Sequence, residues 1–372
     1  MQVLVIGAGI YGVSAAIELG ERGHRVTLVD PGPLPHPLAA STDISKVVRL
    51  DYGADAFYTE MMEHALPRWR DDELFHETGF VILSRDEMRP GGFEYESHRV
   101  LSERGHRLDR LDPQQIARRF PAWRGYRDGY YNPAGGWAES GRVVARLLER
   151  APIETVSIAR MDQGVAISAQ GDRLIADCTV VAAGAWTPLL LPELADRLHG
   201  IGQPVMHFRP RDAALFSPPA FPVWAADIAR TGWYGFPLHP REGVVKIANH
   251  GPGTPIDPRA ERKLPADAEA FFRAFLRDSL PSLADAPIEH TRLCLYCDSF
   301  DGDFFIDRHP ERPGVVVAAG GSGHGFKFAP LLGGIIADAV EGVDNRWAHR
   351  FRWRERANER REDARSVTPY DA

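Results

Sequence analysis

The chain opens on an unbroken apolar run, Val3 to Ile6, closed by Gly7. A run of that kind predicts a strand covered on both faces, as in a parallel sheet. From Tyr11 to Arg22 the small or apolar positions Val13, Ala16, Ile17 and Gly20 recur at i, i+3, i+4 and i+7, one face of an amphipathic helix. Arg25 to Val29 predicts the next strand, completing a β-α-β unit whose parallel crossover is right-handed.

Alternating prolines at 31, 33, 35 and 37 then force an extended loop that cannot enter a sheet interior. Beyond it the pattern predicts a helix over Phe57 to Leu66 and a strand over Gly79 to Leu83, whereas the stretch to Trp137 has no long period. A helix follows over Gly141 to Arg150, then small antiparallel strands at Ile153 to Ile158, Val165 to Ala169 and Arg173 to Ala176. Thr179 to Ala183 is another buried strand. Residues Gln203 to His250 are rich in aromatics and short strands, and Ala266 to Leu280 has an amphipathic helical pattern. Val315 to Ala319 is a last apolar strand, with a helix from Pro330, where proline suits a first turn. Buried strands at the start, middle and end predict an α/β protein whose domains are discontinuous in sequence.

The length of 372 residues suits about two domains. With 44% hydrophobic and 26% charged residues the composition excludes disorder, collagen and coiled coil. The balance of 44 basic against 51 acidic residues, a net charge of -7, offers no attraction for a phosphate backbone, so no nucleic-acid partner is expected. Cys178, Cys294 and Cys297 are too few for a disulfide framework and point to a reducing compartment, the cytoplasm. No apolar stretch approaches the ~18 residues of a membrane span, and no membrane partner is expected.

Three patterns carry chemistry. Gly7-Ala8-Gly9-Ile10-Tyr11-Gly12 lies between the first strand and helix, with Asp30 ending the second strand. The glycines allow a tight turn and close approach of a pyrophosphate, the helix N-terminus faces the anion, and Asp30 accepts from a ribose hydroxyl. This motif does not separate NAD from FAD. Gly320-Gly321-Ser322-Gly323-His324-Gly325 is a second glycine cluster, and Lys327 after it adds positive charge at a helix start. Cys294 and Cys297 form a C-x-x-C in an extended segment without the further ligands zinc needs, so no metal is expected.

Together GAGIYG, DISKVVRLDYG at 43–53, AGAW at 183–186, WYGFP at 233–237 and CLYCDSFDGDFFIDRHPERPGVVVAAGGSGHGFKF at 294–328 resemble the monomeric sarcosine oxidase and N-methyltryptophan oxidase family, a branch of the D-amino-acid-oxidase-like flavoproteins. The likeness covers the chain to about Gly342. It implies a Rossmann-like FAD-binding domain from residues 1–84, 138–204 and 296–345, a mixed-sheet substrate domain from 85–137 and 205–295, and a C-terminal basic helix or tail over 346–372.

The resemblance also implies roles. Cys294 would carry FAD covalently, Arg49 and Lys327 would hold a substrate carboxylate, Lys246 would promote oxygen reduction, and Tyr234 and His250 would line the substrate pocket. Gly7, Gly9, Ile10, Tyr11, Gly12, Asp30, Ser41, Lys46, Ala183, Gly184, Trp186, Gly321, Gly323, His324, Gly325 and Lys327 would contact the cofactor. Lys46 stands where sarcosine oxidases have Arg, and D-I-S-K-V-V-R is closer to the fructosyl-amino-acid oxidase branch, which leaves the amine's identity open. The implied reaction turns a secondary amine of an amino-acid derivative into an imine, with O2 reduced to H2O2 by a monomeric enzyme. A dehydrogenase with another electron acceptor and a flavin-binding protein without turnover are the alternatives. The arginine-rich segment 346–365, with Trp347 and Phe351 four apart, predicts a helix that docks its aromatics and pairs or solvates its arginines.

Overall fold

The computed structural model describes residues 1–356 and 364–366. Gln2–Ile6 is central in a six-stranded sheet, and its register with Arg25–Asp30 on one side and Cys178–Val181 on the other is parallel. Val315–Ala319 continues the parallel set and Phe305–Arg308 closes that edge in the opposite sense. Ile153–Thr155 corrects an expectation: it pairs in parallel with Arg25–Asp30 at the far edge of this sheet. The antiparallel trio is instead Ile158–Asp162, Val165–Ser168 and Arg173–Leu174. The strand expected over Ile153 to Ile158 is therefore broken between two sheets, a division that periodicity cannot see.

Helices Ile10–Glu21 and Ala329–Glu341 pack against each other over one face. Their approach is close enough that a Cβ on Gly333 would lie 2.6 Å from the Ser14 carbonyl oxygen. Val5, Val13, Ala16, Leu332 and Ile336 fill the space between helices and sheet.

A nine-stranded sheet forms the second layer. The long strand Leu198–Phe208 pairs along its length with Ile288–Ser299 on one edge and with Val245–Asn249 on the other. Trp233–Leu238, Val223–Ala226, Phe80–Ser84, Asp128–Asn132 and Asp109–Leu111 follow in order. Phe80–Ser84 pairs in parallel with Val223–Ala226, so it belongs with the aromatic-rich strands. The stretch without a period holds two helices, Phe93–Glu103 and Pro113–Arg119, the latter opened by a capping box between Asp112 and Gln115. Each is too short for its period to stand out from the surrounding loops.

Of the C-terminal segment only Ala348–Phe351 is helical among the described residues. Trp347 and Phe351 are buried, and arginines pair with acids: Arg350 with Asp55 and Asp303, Arg352 with Asp344, Arg354 with Asp301. The remainder of the basic helix expected there, 357–363 and 367–372, lies outside the described residues.

Candidate active site

A cavity of about 700 Å³ opens at the carboxyl ends of the parallel strands, within the range of ~300–1,000 Å³ usual for small-molecule sites. The first glycine turn shapes its floor. Gly7 has φ +101°, and a Cβ there would lie 2.6 Å from the Ala182 carbonyl oxygen. A Cβ on Gly12 would lie 1.8 Å from the Gly7 carbonyl oxygen, so the helix can start where it does only with glycine at both positions. Ile10 N–H donates to Ser41 Oγ at 3.0 Å, which ties the turn to the proline-rich loop. Asp30 accepts from Ala8 N–H through Oδ2 and from Gly32 N–H through Oδ1, both at 2.9 Å. These bonds hold its carboxylate at the end of its strand.

The structure brings most of the expected cofactor positions to this cavity. Gly7, Gly9, Ile10, Tyr11, Asp30, Ser41 and Lys46 line one side; Ala183, Gly184, Trp186, Gly321, Gly323 and Gly325 line the other. The Tyr11 hydroxyl is buried without a hydrogen-bond partner among the described residues, against the second glycine turn. Gly12, Cys294, His324 and Lys327 are not in the lining; Cys297, to which no role was given, is.

The remaining expected residues gather beside this cavity. Arg49 and Lys327 are both buried and converge on one ring: the Arg49 guanidinium lies 4.8 Å and the Lys327 ammonium 5.0 Å from the Tyr52 centroid. Lys327 Nζ donates to Tyr52 Oη at 2.9 Å, and His324 Nδ1 is 3.1 Å from the same hydroxyl. Lys327 sits in the tight turn Gly325–Phe328 that runs directly into the helix Ala329–Glu341, so backbone and side chain add positive charge together.

One face of the nine-stranded sheet supplies the rest. Side chains alternate along a strand, so Cys294, Tyr296 and Asp298 share a face, as do Lys246 and Ala248 on Val245–Asn249. The register sets Lys246 beside His207, and Cys294 beside Gln203. Tyr234 Oη is 3.3 Å from Tyr296 Oη, and the Tyr296 and His250 rings are 5.9 Å apart. Lys46 Nζ lies 3.8 Å from Cys294 Sγ, so the thiol has a cation next to it. Lys246 points inward: it is 2% exposed and donates to Asp43 Oδ2 and to the Ser45 carbonyl, each at 2.6 Å.

Burial and charge act in opposition here. Burial pushes the Lys246 ammonium down to about 8, with Asp43 opposing and Lys46 assisting that shift. Burial alone would raise the Asp43 carboxyl, yet Lys246, Lys46 and Arg292 hold it well below the usual carboxylate range. His207 is pushed down to about 3, chiefly by burial, and stands neutral beside this pair. Near neutral pH the Lys246–Asp43 pair is therefore ionised on both sides. The phenols of Tyr234 and Tyr296 are raised by burial and stay protonated donors.

Sequence reasoning missed Asp43, Tyr52, Tyr296 and His207. Asp43 and Tyr52 lie inside DISKVVRLDYG, three residues either side of Lys46 and Arg49, so the signal was present. Tyr296 lies between the two cysteines and differs from an ordinary strand tyrosine only through tertiary contacts. His207 becomes visible only once its strand is registered against Lys246.

A family model described as FAD dependent oxidoreductase matches residues 2–339. The peroxisomal sarcosine oxidase of Mus musculus is 30% identical, over 90% of this chain and 90% of its own. The L-saccharopine oxidase of Schizosaccharomyces pombe is 26% identical, over 95% of this chain and 93% of its own. Among solved structures, the fructosamine oxidase Amadoriase II from Aspergillus fumigatus superposes with a TM-score of 0.84 at 26% identity, covering 99% of this chain and 94% of that one.

Proposed function

The chain belongs to the FAD dependent oxidoreductase family, and from that premise we propose that it oxidises the secondary amine of a carboxylated amino-acid derivative to the imine, the two electrons passing to oxygen as H2O2. The observation that supports this most directly is the convergence of two buried cations, Arg49 and Lys327, on the Tyr52 ring beside the cavity. A guanidinium fork and a point charge in one buried place suit a carboxylate.

The residues present fit FAD. Gly7 and Gly12 let the turn close on Ala182 and on itself beside the cavity that Gly9 lines, Asp30 faces that cavity for a ribose hydroxyl, and the buried Tyr11 hydroxyl lacks a partner among the described residues that a ligand would provide. When bound, FAD supplies the two-electron acceptor. In this reading the six-stranded sheet holds the cofactor, the nine-stranded sheet faces the donor, and Cys294, with Lys46 Nζ 3.8 Å from its sulfur, is the thiol assigned to a covalent link.

Arg49 and Lys327 fix the donor's carboxylate, and Tyr52 holds the Lys327 ammonium in place. Tyr234 and His250 flank the amine. Lys246, kept cationic by Asp43, steadies negative charge as oxygen takes up electrons, a role of preorganised electrostatics. No side chain is assigned as general base: the cluster is mainly cationic and the amine loses its proton to solvent. The three cysteines are free and buried, and in this reading the protein is a monomer of the cytoplasm. No helix among the described residues is long and apolar enough to cross a membrane.

The test is spectroscopic. Purified protein is expected to be yellow, to bleach near the flavin maximum when sarcosine, an N-methyl, cyclic imino or fructosyl amino acid is added without air, and to form peroxide when air is admitted. Yellow protein that none of these donors bleaches would refute the reading.

A further inference from the structure

The arginine-rich C-terminal segment remains outside the chemistry described so far, and its contacts are not those of a solvated tail. Three acids at and after the end of Ile288–Ser299 are each gripped from it: Asp303 by Arg350, Asp301 by Arg354, and Asp298 by Arg365 at 2.5 Å. Arg350 and Arg354 hold the side that carries Tyr58 and His324, through Asp303 and the Gly302 carbonyl of the same loop. Residues Ala364, Arg365 and Ser366 lie on the other side, over the nine-stranded sheet.

This three-residue strap is tightly seated. Ala364 is 0% and Ser366 1% exposed. Ser366 N–H donates to the His250 carbonyl at 3.0 Å and Ser366 Oγ to the Arg230 carbonyl at 2.7 Å. Arg365 Nε donates to the Gly251 carbonyl at 3.0 Å, an oxygen that also accepts from Gln203 Nε2 at 2.7 Å. A single guanidinium thus joins the chain just past Val245–Asn249 to Asp298 on Ile288–Ser299, across the strand Leu198–Phe208 that separates them.

Its position relative to the donor residues is decided by strand alternation. Asp298 is on the face of its strand that carries Tyr296 and Cys294, and the other anchor adjoins His250. The Arg365 charge acts on the Tyr296 phenol, partly countering the effect of burial. Ala364 packs in the apolar cluster with Ile228 and Phe236, against which Tyr234 also lies. The strap therefore touches the supports of the three rings, Tyr234, His250 and Tyr296, assigned or adjacent to the amine.

We propose that Ala364–Ser366 walls the donor compartment and that Arg365 is a specificity-determining positioning residue, setting through Asp298 and Gly251 the separation of Tyr296 and His250 and hence the size of the amine-bearing group admitted. The inference rests on the reaction proposed above. It bears on one property of the donor: how large a substituent it can carry beneath the strap while its carboxylate reaches Arg49.

The test compares a small and a bulky donor, sarcosine and N-methyltryptophan, in the full-length holoenzyme and in Arg365→Ala, Arg365→Lys and Ser366→Ala. Arg365→Ala is expected to shift the ratio of kcat/KM between the two donors by about tenfold or more in favour of the bulky one, the scale of size discrimination by an apolar pocket. The shift is expected in KM rather than kcat, with Arg365→Lys intermediate. Variants that keep their flavin spectrum and leave the ratio where it was overturn the proposal and make the strap purely structural. If Arg365→Ala does not fold, Arg365→Lys and Ser366→Ala decide the same question. Should the unmodified protein bind FAD yet oxidise neither donor, the reaction fails separately. The strap is then read from the flavin difference spectrum, as the Kd ratio of acetate to indole-3-acetate, which Arg365→Ala shifts if the wall exists and leaves alone if it does not.

Discussion

Around the cavity the shape is set by backbone: glycines at 7, 9 and 12 and the turn 320–325 set its outline, and Asp30 is pinned by the backbone N–H groups of Ala8 and Gly32, within one β-α-β unit. Across from it, on the nine-stranded sheet, the shape is set by side chains from distant strands, with Lys246 held by Asp43 from 203 residues away and Tyr234 facing Tyr296 from 62 away. The first region tolerates little change in bulk and asks little of charge. The second tolerates bulk but depends on which cations stay charged. Binding a common nucleotide needs a conserved kind of turn, whereas choosing and oxidising one donor needs a constellation assembled by the fold.

The largest effect that would sharpen this contrast is at Gly12. Gly12→Ala places a Cβ where the Gly7 carbonyl stands, 1.8 Å away, and is expected to abolish flavin retention, read as loss of visible absorbance per protein after gel filtration. A fully yellow Gly12→Ala protein would mean that the turn does not shape the cofactor site.

Next comes Lys246. Lys246→Met is expected to slow reoxidation of the reduced enzyme by oxygen by about 100-fold or more, the usual scale for removing one preorganised charge, while anaerobic reduction by the donor changes little. Stopped-flow traces of the two half-reactions separate these outcomes. Equal slowing of both would return Lys246 to a structural role with Asp43. Arg49→Met follows, with an expected rise in KM for carboxylated donors worth about 2 kcal/mol or more, and an unchanged KM would remove Arg49 from the donor site.

A smaller, graded effect comes from pH. Lys246 is protonated below about 8 and neutral above it, with Asp43, Lys46 and Cys294 as the charged or titrating groups that bear on it. The oxygen half-reaction is therefore expected to fall as pH rises through about 8, by about tenfold between pH 7 and 9 for a single titrating group. In Lys246→Arg, which keeps its charge, that fall should vanish. Last, acid precipitation tests Cys294: colour remaining in the pellet of the unmodified protein and washing out of Cys294→Ala supports the tether, and colour washing out of both removes it.

Sequence alone determined the parallel framework and the nucleotide turn, because both are local: a two-sided buried strand is an apolar run, a helix repeats at 3.6, and Gly7 to Gly12 act within one turn. Motif likeness named Arg49, Lys246 and Lys327 as well, without saying that Arg49 and Lys327 converge on one ring or that Lys246 pairs with Asp43. Tertiary structure decided the rest. Lys246 on a strand faces core or solvent with equal warrant until its register against His207 is known. The run Ile153 to Ile158 gave no hint that it divides between two sheets. The C-terminal arginines have the composition of a solvated face, yet Arg350, Arg354 and Arg365 each meet an acid on one loop or strand end. The physical reason is common to all three: partners tens to hundreds of residues apart leave no periodicity in the chain, and only the packing of whole sheets brings them within reach.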